Sequence, residues 1–127
     1  ADRRPGGPAV GPPDPGYRRV MASELLTGDQ IRAMDGMEDW RVVHAAIETR
    51  YRTGDFATGL VLVNRIGEAA EAVNHHPDLT LTYGHVGVLL TSHDAGGLTR
   101  RDVELARTVG GIAAELGLTA DPGSVRP

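Results

Sequence analysis

The sequence predicts an α+β domain in which a four-stranded antiparallel sheet carries three helices packed on one face, in the order α-β-β-α-β-β-α. Two observations predict it. Segments in which apolar residues recur every three or four positions alternate with pairs of short segments in which apolar and polar residues alternate. Paired short strands between amphipathic helices are typical of an antiparallel sheet that is covered on one side. The chain of 127 residues has room for a single core of this kind.

The composition excludes several kinds of chemistry. The chain has no cysteine and no lysine, so that all 13 basic residues are arginine. Disulfides, thiolate ligands, thiol nucleophiles, lysine Schiff bases and phosphate-loop lysines are therefore excluded. The net charge of -4 at pH 7 argues against a nucleic-acid partner. The groups that remain as candidates for proton transfer near neutral pH are the 5 histidines first and the carboxylates second.

The sequence carries no membrane signal, and its ends differ in composition from its middle. No apolar run approaches the roughly 20 residues of a membrane span, and the N-terminus lacks the apolar core of a signal peptide. A cytoplasmic location without a membrane partner is therefore expected. Residues 1–22 are rich in proline and glycine and are expected to form a disordered extension, because they have little to bury. The domain then spans 23–118, and 119–127 form a loose tail.

The domain begins with a short helix and a hairpin. Thr27 and Gln30 form a capping box that opens a helix ending near Met34. Residues 40–43 and 46–52 are two short strands, the second with a clean alternation of apolar and polar positions. The loop between these strands has no Gly, Asn or Pro, so the hairpin rests on the strand patterns alone.

Two amphipathic helices frame the rest of the domain. Asp55 offers an N-cap to the first, which is expected to end at His75 and His76 because Pro77 disfavours helical backbone before it. Its apolar stripe has the helical period and consists of Phe56, Leu60, Val63, Ile66, Ala70 and Val73. The last helix is expected over 100–116, where a second capping box and a second apolar stripe occur.

The stretch between these helices contains a predicted hairpin that is flanked by histidines. Residues 79–83 alternate in polarity and 86–91 are apolar and β-branched, with Gly84–His85 as a two-residue turn of the Gly-X kind. Continued past the strand ends, the pairing register of this hairpin places His76 beside His93, within about 5 Å.

The three histidines of this region, His75, His76 and His93, admit three interpretations. A pair of imidazoles can act as general acid and general base at neutral pH. Three histidines are also a common zinc set, although no His-x-x-x-His pair is present. Alternatively, His75 caps a helix end near the negative end of its dipole and His76 is a surface residue. His44 and His85, at the two predicted turns, are interpreted as surface residues.

Two carboxylates accompany the histidines. Glu71 precedes His75 by four residues, so both share one face if the helix extends that far, and Glu71 either orients the imidazole or is solvated. Asp102 is the N3 residue of the last helix, where capping is its ordinary role. Because this helix begins shortly after His93, the Asp102 carboxylate can also face the pocket.

This part of the chain resembles a known protein family. The chain from about Leu26 to Leu116 is similar to the pterin-4a-carbinolamine dehydratases in the order of its elements and in two motifs. These motifs are Glu71-x-x-x-His75-His76-Pro77 and Thr91-Ser92-His93-Asp94-x-Gly96-Gly97-Leu98-Thr99-x-x-Asp102. A departure is Leu79, at a position that is often aromatic in relatives.

The resemblance implies an activity and a site. Members dehydrate 4a-hydroxytetrahydropterin to quinonoid dihydropterin without metal or cofactor, which recycles the pterin of aromatic amino-acid hydroxylases. By analogy, three histidines surround the pterin, one taking the N5 proton and another protonating the departing hydroxyl: His75, His76 and His93. The other implied substrate-binding positions are Glu71, Pro77, Ser92, Asp94, Ala95 and Asp102.

The resemblance also implies self-association and leaves a second function open. Members form homodimers that join sheets edge to edge and often pair into homotetramers. Some act as dimerisation partners of a homeodomain transcription factor or as assembly factors for another enzyme. A non-catalytic binding module of this kind is the alternative to the dehydratase.

Overall fold

The computed structural model describes residues 24–124, so the predicted extension 1–22 lies outside the described residues. The predicted α+β class and the predicted order of its helices and strands are confirmed. The helices are α1 (Gly28–Arg32), α2 (Phe56–Val73) and α3 (Arg100–Glu115), and the strands are β1 (Arg41–Val43), β2 (Ala46–Arg52), β3 (Asp78–Leu81), β4 (His85–Leu90) and β5 (Thr119–Ala120). Single 3-10 turns occupy His93–Ala95 and Pro122–Ser124.

The sheet is antiparallel throughout, with the strand order β1-β2-β4-β3. One face of β2 and β4 packs into the core, where Ile47, Val86 and Leu90 have no exposed surface. The buried residues of α2 and α3, among them Leu62 and Val109, belong to the same core. With the helices over this face of the sheet, the C-terminal end of α2 lies near the start of β3. The N-terminal end of α3 lies near the end of β4.

A fifth strand was not predicted. Gly117 has a φ of +72° and turns the chain back after α3, and β5 then pairs with β2 through Tyr51–Ala120 and Arg52–Thr119. The expectation of a loose chain beyond Leu118 is therefore wrong for these residues. Strand β1 is short and leaves part of the edge of β2 unpaired, and β5 pairs with that part. No local pattern in 119–127 predicts this pairing.

The predicted register of the β3–β4 hairpin is wrong by two residues. Leu81 pairs with Val86 and Asp78 with Leu89, so that Tyr83 and Gly84 form the turn. The reason is a contact outside the hairpin, because the Gly84 carbonyl accepts hydrogen bonds from the backbone N–H groups of Thr53 (2.8 Å) and Gly54 (3.3 Å). The register that would have set His76 opposite His93 is therefore absent.

Helix α2 ends earlier than Pro77 requires. Asn74 adopts a left-handed conformation with φ 52° and ψ 45° and is the C-cap. The backbone N–H of the next residue, His75, donates to Ala70 O at 3.1 Å and closes the last turn. His75 and His76 therefore leave the helix in directions that a continued helix would not give them.

The buried hydroxyl of Tyr51 in β2 yields a first prediction. Tyr51 is 2% exposed and its hydroxyl has no hydrogen-bond partner among residues 24–124. Burial, with a smaller effect of the Asp39 charge, raises the pKa of Tyr51 to about 12. Since an unfolded tyrosine ionises at pH about 10, the free energy of unfolding is expected to decrease as the pH rises from about 10 to about 12.

Phenylalanine at position 51 separates this effect from other alkaline titrations. Tyr51→Phe is expected to abolish the late tyrosinate absorbance step and to change stability at pH 7 by no more than about 1 kcal/mol, because the hydroxyl it removes is unsatisfied. A wild-type chain whose tyrosines all ionise near pH 10 without unfolding would contradict the account.

Candidate active site

The centre of the site is a buried pair formed by His75 and Asp102. His75 follows the C-cap of α2, and Asp102 is in the first turn of α3. The distance from His75 Nε2 to Asp102 Oδ1 is 2.7 Å, and the Asp102 side chain is fully buried. His75 retains 8% of its surface. The pair therefore connects the end of one helix to the beginning of the other.

The second carboxylate oxygen of Asp102 is also fully engaged. Asp102 Oδ2 accepts from Thr99 N at 2.9 Å, which closes the predicted capping box, and from Ser92 Oγ at 2.8 Å. Since the Ser92 hydroxyl proton points to Asp102, the 2.8 Å contact between Ser92 and Thr99 has the Thr99 hydroxyl as its donor. The capping role predicted for Asp102 is therefore confirmed, whereas the carboxylate is fully buried and meets His75 rather than an open pocket.

This network fixes the tautomer of His75. A carboxylate that accepts from a backbone N–H and a hydroxyl acts as an acceptor toward the imidazole as well, so that Nε2 of His75 carries the proton. In the neutral ring, Nδ1 is then the acceptor. The arrangement gives His75 a nitrogen that can receive a proton and a buried carboxylate that stabilises the resulting cation.

His76 has a carboxylate of its own. Its Nε2 lies 2.6 Å from Glu71 Oε2, and both side chains are exposed. The predicted partner of Glu71 was His75, which four-residue helical spacing would have brought to the same face. Because α2 ends at Val73 and Asn74 redirects the chain, the neighbour of Glu71 is His76 instead. Pro77 is half-buried directly after it.

His93 lies in a tight turn after β4. It is exposed, and the turn is closed by Ser92 O, which accepts from the N–H groups of Ala95 and Gly96 at 3.0 Å. Ala95 is half-buried in this turn. Ser92 thus links His93 to the buried network, since its hydroxyl contacts Asp102 while its carbonyl shapes the turn that carries His93.

Asp94, beside His93, is an exposed carboxylate held by Arg101. Arg101 Nη2 donates to Asp94 Oδ1 at 2.8 Å. This hydrogen bond lowers the pKa of Asp94 below its ordinary value, so the carboxylate stays charged further into the acid range. Arg101 therefore fixes the turn that carries His93 against the start of α3.

The three histidines line three different depressions of the chain surface. His75 lines a depression of about 320 Å³ between α2 and α3, together with Arg100 and Arg101. His76 and Glu71 line a second one along α2 and β3. His93 lines a third, of about 410 Å³, near the β1–β2 turn. Hydrogen bonds run from His75 through Asp102 to Ser92, the residue that precedes His93, whereas His76 is joined to this network only as the chain neighbour of His75.

Sequence reasoning missed two features of this region. Thr99 is the N-cap of the predicted second capping box, and its hydroxyl also donates to Ser92 within the buried network. His44 was interpreted as a surface turn residue, yet it lines the same depression as His93. The strand patterns predict the turn that carries His44, but they do not indicate that this turn lies beside His93.

The described part of the chain also bears on a metal site and on a membrane span. Among residues 24–124, no group of three or more His, Asp or Glu side chains is arranged so that it could hold a metal ion. The zinc interpretation of the histidines therefore gains no support from their placement. None of the helices in the same residues is both long and apolar enough to cross a membrane.

The fold and the two motifs define a small α+β domain with a histidine–carboxylate site, and comparison with known proteins identifies its family. A family model described as pterin 4 alpha carbinolamine dehydratase matches residues 24–112. The chain belongs to this family.

Individual relatives agree with the family match. The protein of Koribacter versatilis (strain Ellin345) is 40% identical over 85 residues, which cover 66% of this chain and 90% of the relative. The protein of Picosynechococcus sp. (strain ATCC 27264 / PCC 7002 / PR-6) is 42% identical over 84 residues, 65% of this chain and 91% of the relative. Both carry the name "putative pterin-4-alpha-carbinolamine dehydratase".

A solved structure also matches. The crystal structure of a protein from Brucella melitensis, named "transcriptional coactivator/pterin dehydratase", has a TM-score of 0.62 and 31% sequence identity to this chain. The match covers 71% of this chain and 99% of the Brucella chain.

Proposed function

We propose that the protein is a lyase that dehydrates 4a-hydroxytetrahydropterin to quinonoid dihydropterin and water. The proposal is carried by the buried His75–Asp102 pair in a chain of this family. His76 with Glu71, and His93 in the turn linked to Asp102, are the other two proposed catalytic histidines. Pro77, Ser92, Asp94 and Ala95 are proposed to shape the surface against which the substrate binds.

The reaction needs one base and one acid. A base removes the proton from ring nitrogen N5, an acid protonates the hydroxyl on C4a, the C4a–O bond breaks, and a C4a=N5 double bond forms as water leaves. Each transfer by a positioned side chain is worth about 10²–10⁴-fold in rate. Histidine suits both roles because it gains and loses a proton near neutral pH.

The different surroundings of the histidines support a division of these roles. The Nδ1 atom of His75 is an acceptor backed by a buried carboxylate, because the ring proton is on Nε2, which faces Asp102. His76 and His93 are exposed and free to exchange protons with water, which returns each group to its starting state after turnover. A set with one buried and two exposed imidazoles can therefore both take and supply a proton in one cycle.

The direct test follows the disappearance of 4a-hydroxytetrahydropterin by stopped-flow absorbance. The wild-type chain is expected to accelerate the decay over buffer alone, and treatment with EDTA is expected to leave the rate unchanged because the proposed groups act without a metal. No acceleration would refute the proposed function. A rate that EDTA abolishes and zinc restores would instead favour the metal interpretation of the histidines.

A second candidate function rests on the name of the Brucella relative, which includes a coactivator role. A binding module would use surface positions and would tolerate loss of the histidines. Failure of the wild-type chain to accelerate the decay, together with a correct fold, would favour this candidate.

The biological setting is part of the proposal. The product of the reaction is a pterin that aromatic amino-acid hydroxylases use after reduction, so a functional link to such an enzyme is proposed. Assembly into homodimers or homotetramers and a cytoplasmic location remain predictions, which size-exclusion chromatography with light scattering and cell fractionation test.

A further inference from the structure

The turn between β1 and β2 lies against the segment that leads to His93. The β2–β4 pairing ends at Ile47–Leu90. Beyond it, Thr91 Oγ1 donates to the carbonyl oxygen of Ala45 at 2.6 Å. Strand pairing does not continue past this point, because residues 44–45 form the β1–β2 turn and His93 begins a 3-10 turn. The hydrogen bond of Thr91 therefore holds the turn that carries His44 beside the chain just before His93, a residue 49 positions away in the printed sequence.

His44 and His93 line one depression. Its walls include Val43, Ala46 and Leu89, and its volume is about 410 Å³. Both imidazoles are exposed, so each has polar atoms available to a ligand in that space. A depression with apolar walls and a small number of polar groups is the usual form of a site for a small organic molecule.

The backbone at His44 is costly for a histidine. Its φ of 56° is in the left-handed region, which costs an L-residue other than Gly about 1–2 kcal/mol. Two-residue hairpin turns usually place Gly, Asn or Asp at such positions. A residue kept in a strained conformation at a pocket is a candidate for a functional role, because a turn alone would be better served by glycine.

We propose that His44 is a substrate-binding residue of the His93 site, where its imidazole makes a hydrogen bond to the polar edge of the pterin ring. This inference rests on the proposed function. His44 and His93 would contact one substrate molecule from two sides of the depression, and the contact of His44 would be made in the ground state as well as in the transition state. Its loss is therefore expected to weaken binding more than turnover.

The variant that tests this is His44→Gly. Glycine removes the imidazole and also relieves the left-handed backbone, so the variant is expected to melt at the wild-type temperature or above it. The KM for 4a-hydroxytetrahydropterin and the dissociation constant of 7,8-dihydropterin are expected to rise about 3- to 10-fold, as for one ordinary hydrogen bond, with kcat changed less than about 2-fold.

His85→Ala is the matched control, because His85 is a half-buried histidine that lines a different depression, with Glu48 and Arg50. It is expected to leave KM and the dissociation constant unchanged. Equal increases in both variants, or wild-type constants in His44→Gly, would overturn the assignment of His44 while leaving the dehydratase proposal intact.

Binding and turnover together separate the two proposals. A wild-type chain that binds 7,8-dihydropterin through His44 but does not accelerate the decay would support the role of His44 and refute the lyase. A wild-type chain that neither binds 7,8-dihydropterin nor accelerates the decay would overturn both.

Discussion

Replacing Asp102 with alanine is expected to lower the free energy of unfolding by about 3–5 kcal/mol, a large share of what a domain of this size has. Asp102 is fully buried and accepts hydrogen bonds from Thr99 N, Ser92 Oγ and His75 Nε2. Truncation leaves three buried donors without their acceptor and removes the cap of α3, and each unsatisfied buried donor costs about 1–3 kcal/mol. Urea denaturation followed by circular dichroism measures the loss.

Asp102→Asn distinguishes chemistry from stability. Asparagine has the same shape, and its carbonyl oxygen can still accept from Ser92 and Thr99, so a loss of only about 1–2 kcal/mol is expected. Its amide N–H₂ faces His75 Nε2, however, and forces the ring proton onto Nδ1. The nitrogen proposed to accept a proton is then blocked, and kcat is expected to fall at least about 100-fold. Wild-type turnover in this variant would exclude the His75–Asp102 pair from the reaction.

Removing either exposed histidine is expected to abolish turnover without unfolding the protein. His76→Ala and His93→Ala should each lower kcat by about 10²–10⁴-fold, the usual contribution of a positioned acid or base. Because both side chains are exposed, their loss should change stability by no more than about 0.5 kcal/mol. Steady-state kinetics and thermal unfolding of the same preparations measure the two effects.

Two further variants control this prediction. Glu71→Gln keeps a hydrogen-bonding group 2.6 Å from His76 Nε2 but removes the charge, so a smaller loss than that of His76→Ala is expected. His85→Ala removes a histidine from the opposite end of β4 and should retain full activity. Retained turnover in His76→Ala would contradict the proposed roles. A loss of turnover in His85→Ala as large as those in His76→Ala and His93→Ala would contradict them as well.

The local features of the fold were predictable because they depend on neighbouring residues. The capping box of Thr27 and Gln30 and that of Thr99 and Asp102 both form as the sequence indicates. The apolar period of α2 predicts its core face only in part. Ile66 and Ala70 of the predicted stripe are buried. Phe56, Leu60 and Val73 are exposed instead, because the face that packs against the sheet runs through Gly59 and Leu62. In these segments the residues that decide the structure lie within one or two helical turns of each other.

The histidine geometry was not predictable because it depends on contacts between distant segments. The β3–β4 turn is set by Gly84 O, which the amides of Thr53 and Gly54 capture, and a hairpin rule that considers only its own strands cannot include them. The histidine that shares a depression with His93 is accordingly His44 and not His76. That relation follows from the pairing of β2 with β4, which are not consecutive strands.

The end of α2 shows the same limit on a smaller scale. Pro77 correctly predicts that the helix stops, but Asn74 stops it three residues earlier by adopting a left-handed conformation. This difference decides which histidine meets Glu71. Asparagine tolerates that conformation better than most residues, which is a weak signal beside a following proline.

The most direct test of the central claim is single-turnover stopped-flow absorbance of 4a-hydroxytetrahydropterin with the wild-type chain and His93→Ala side by side. The account predicts rapid decay with the wild type and a rate near that of buffer with the variant, while both proteins unfold at the same temperature. Equal acceleration by the two proteins would remove His93 from the chemistry. Decay at the buffer rate with both would contradict the assignment of this chain as a dehydratase.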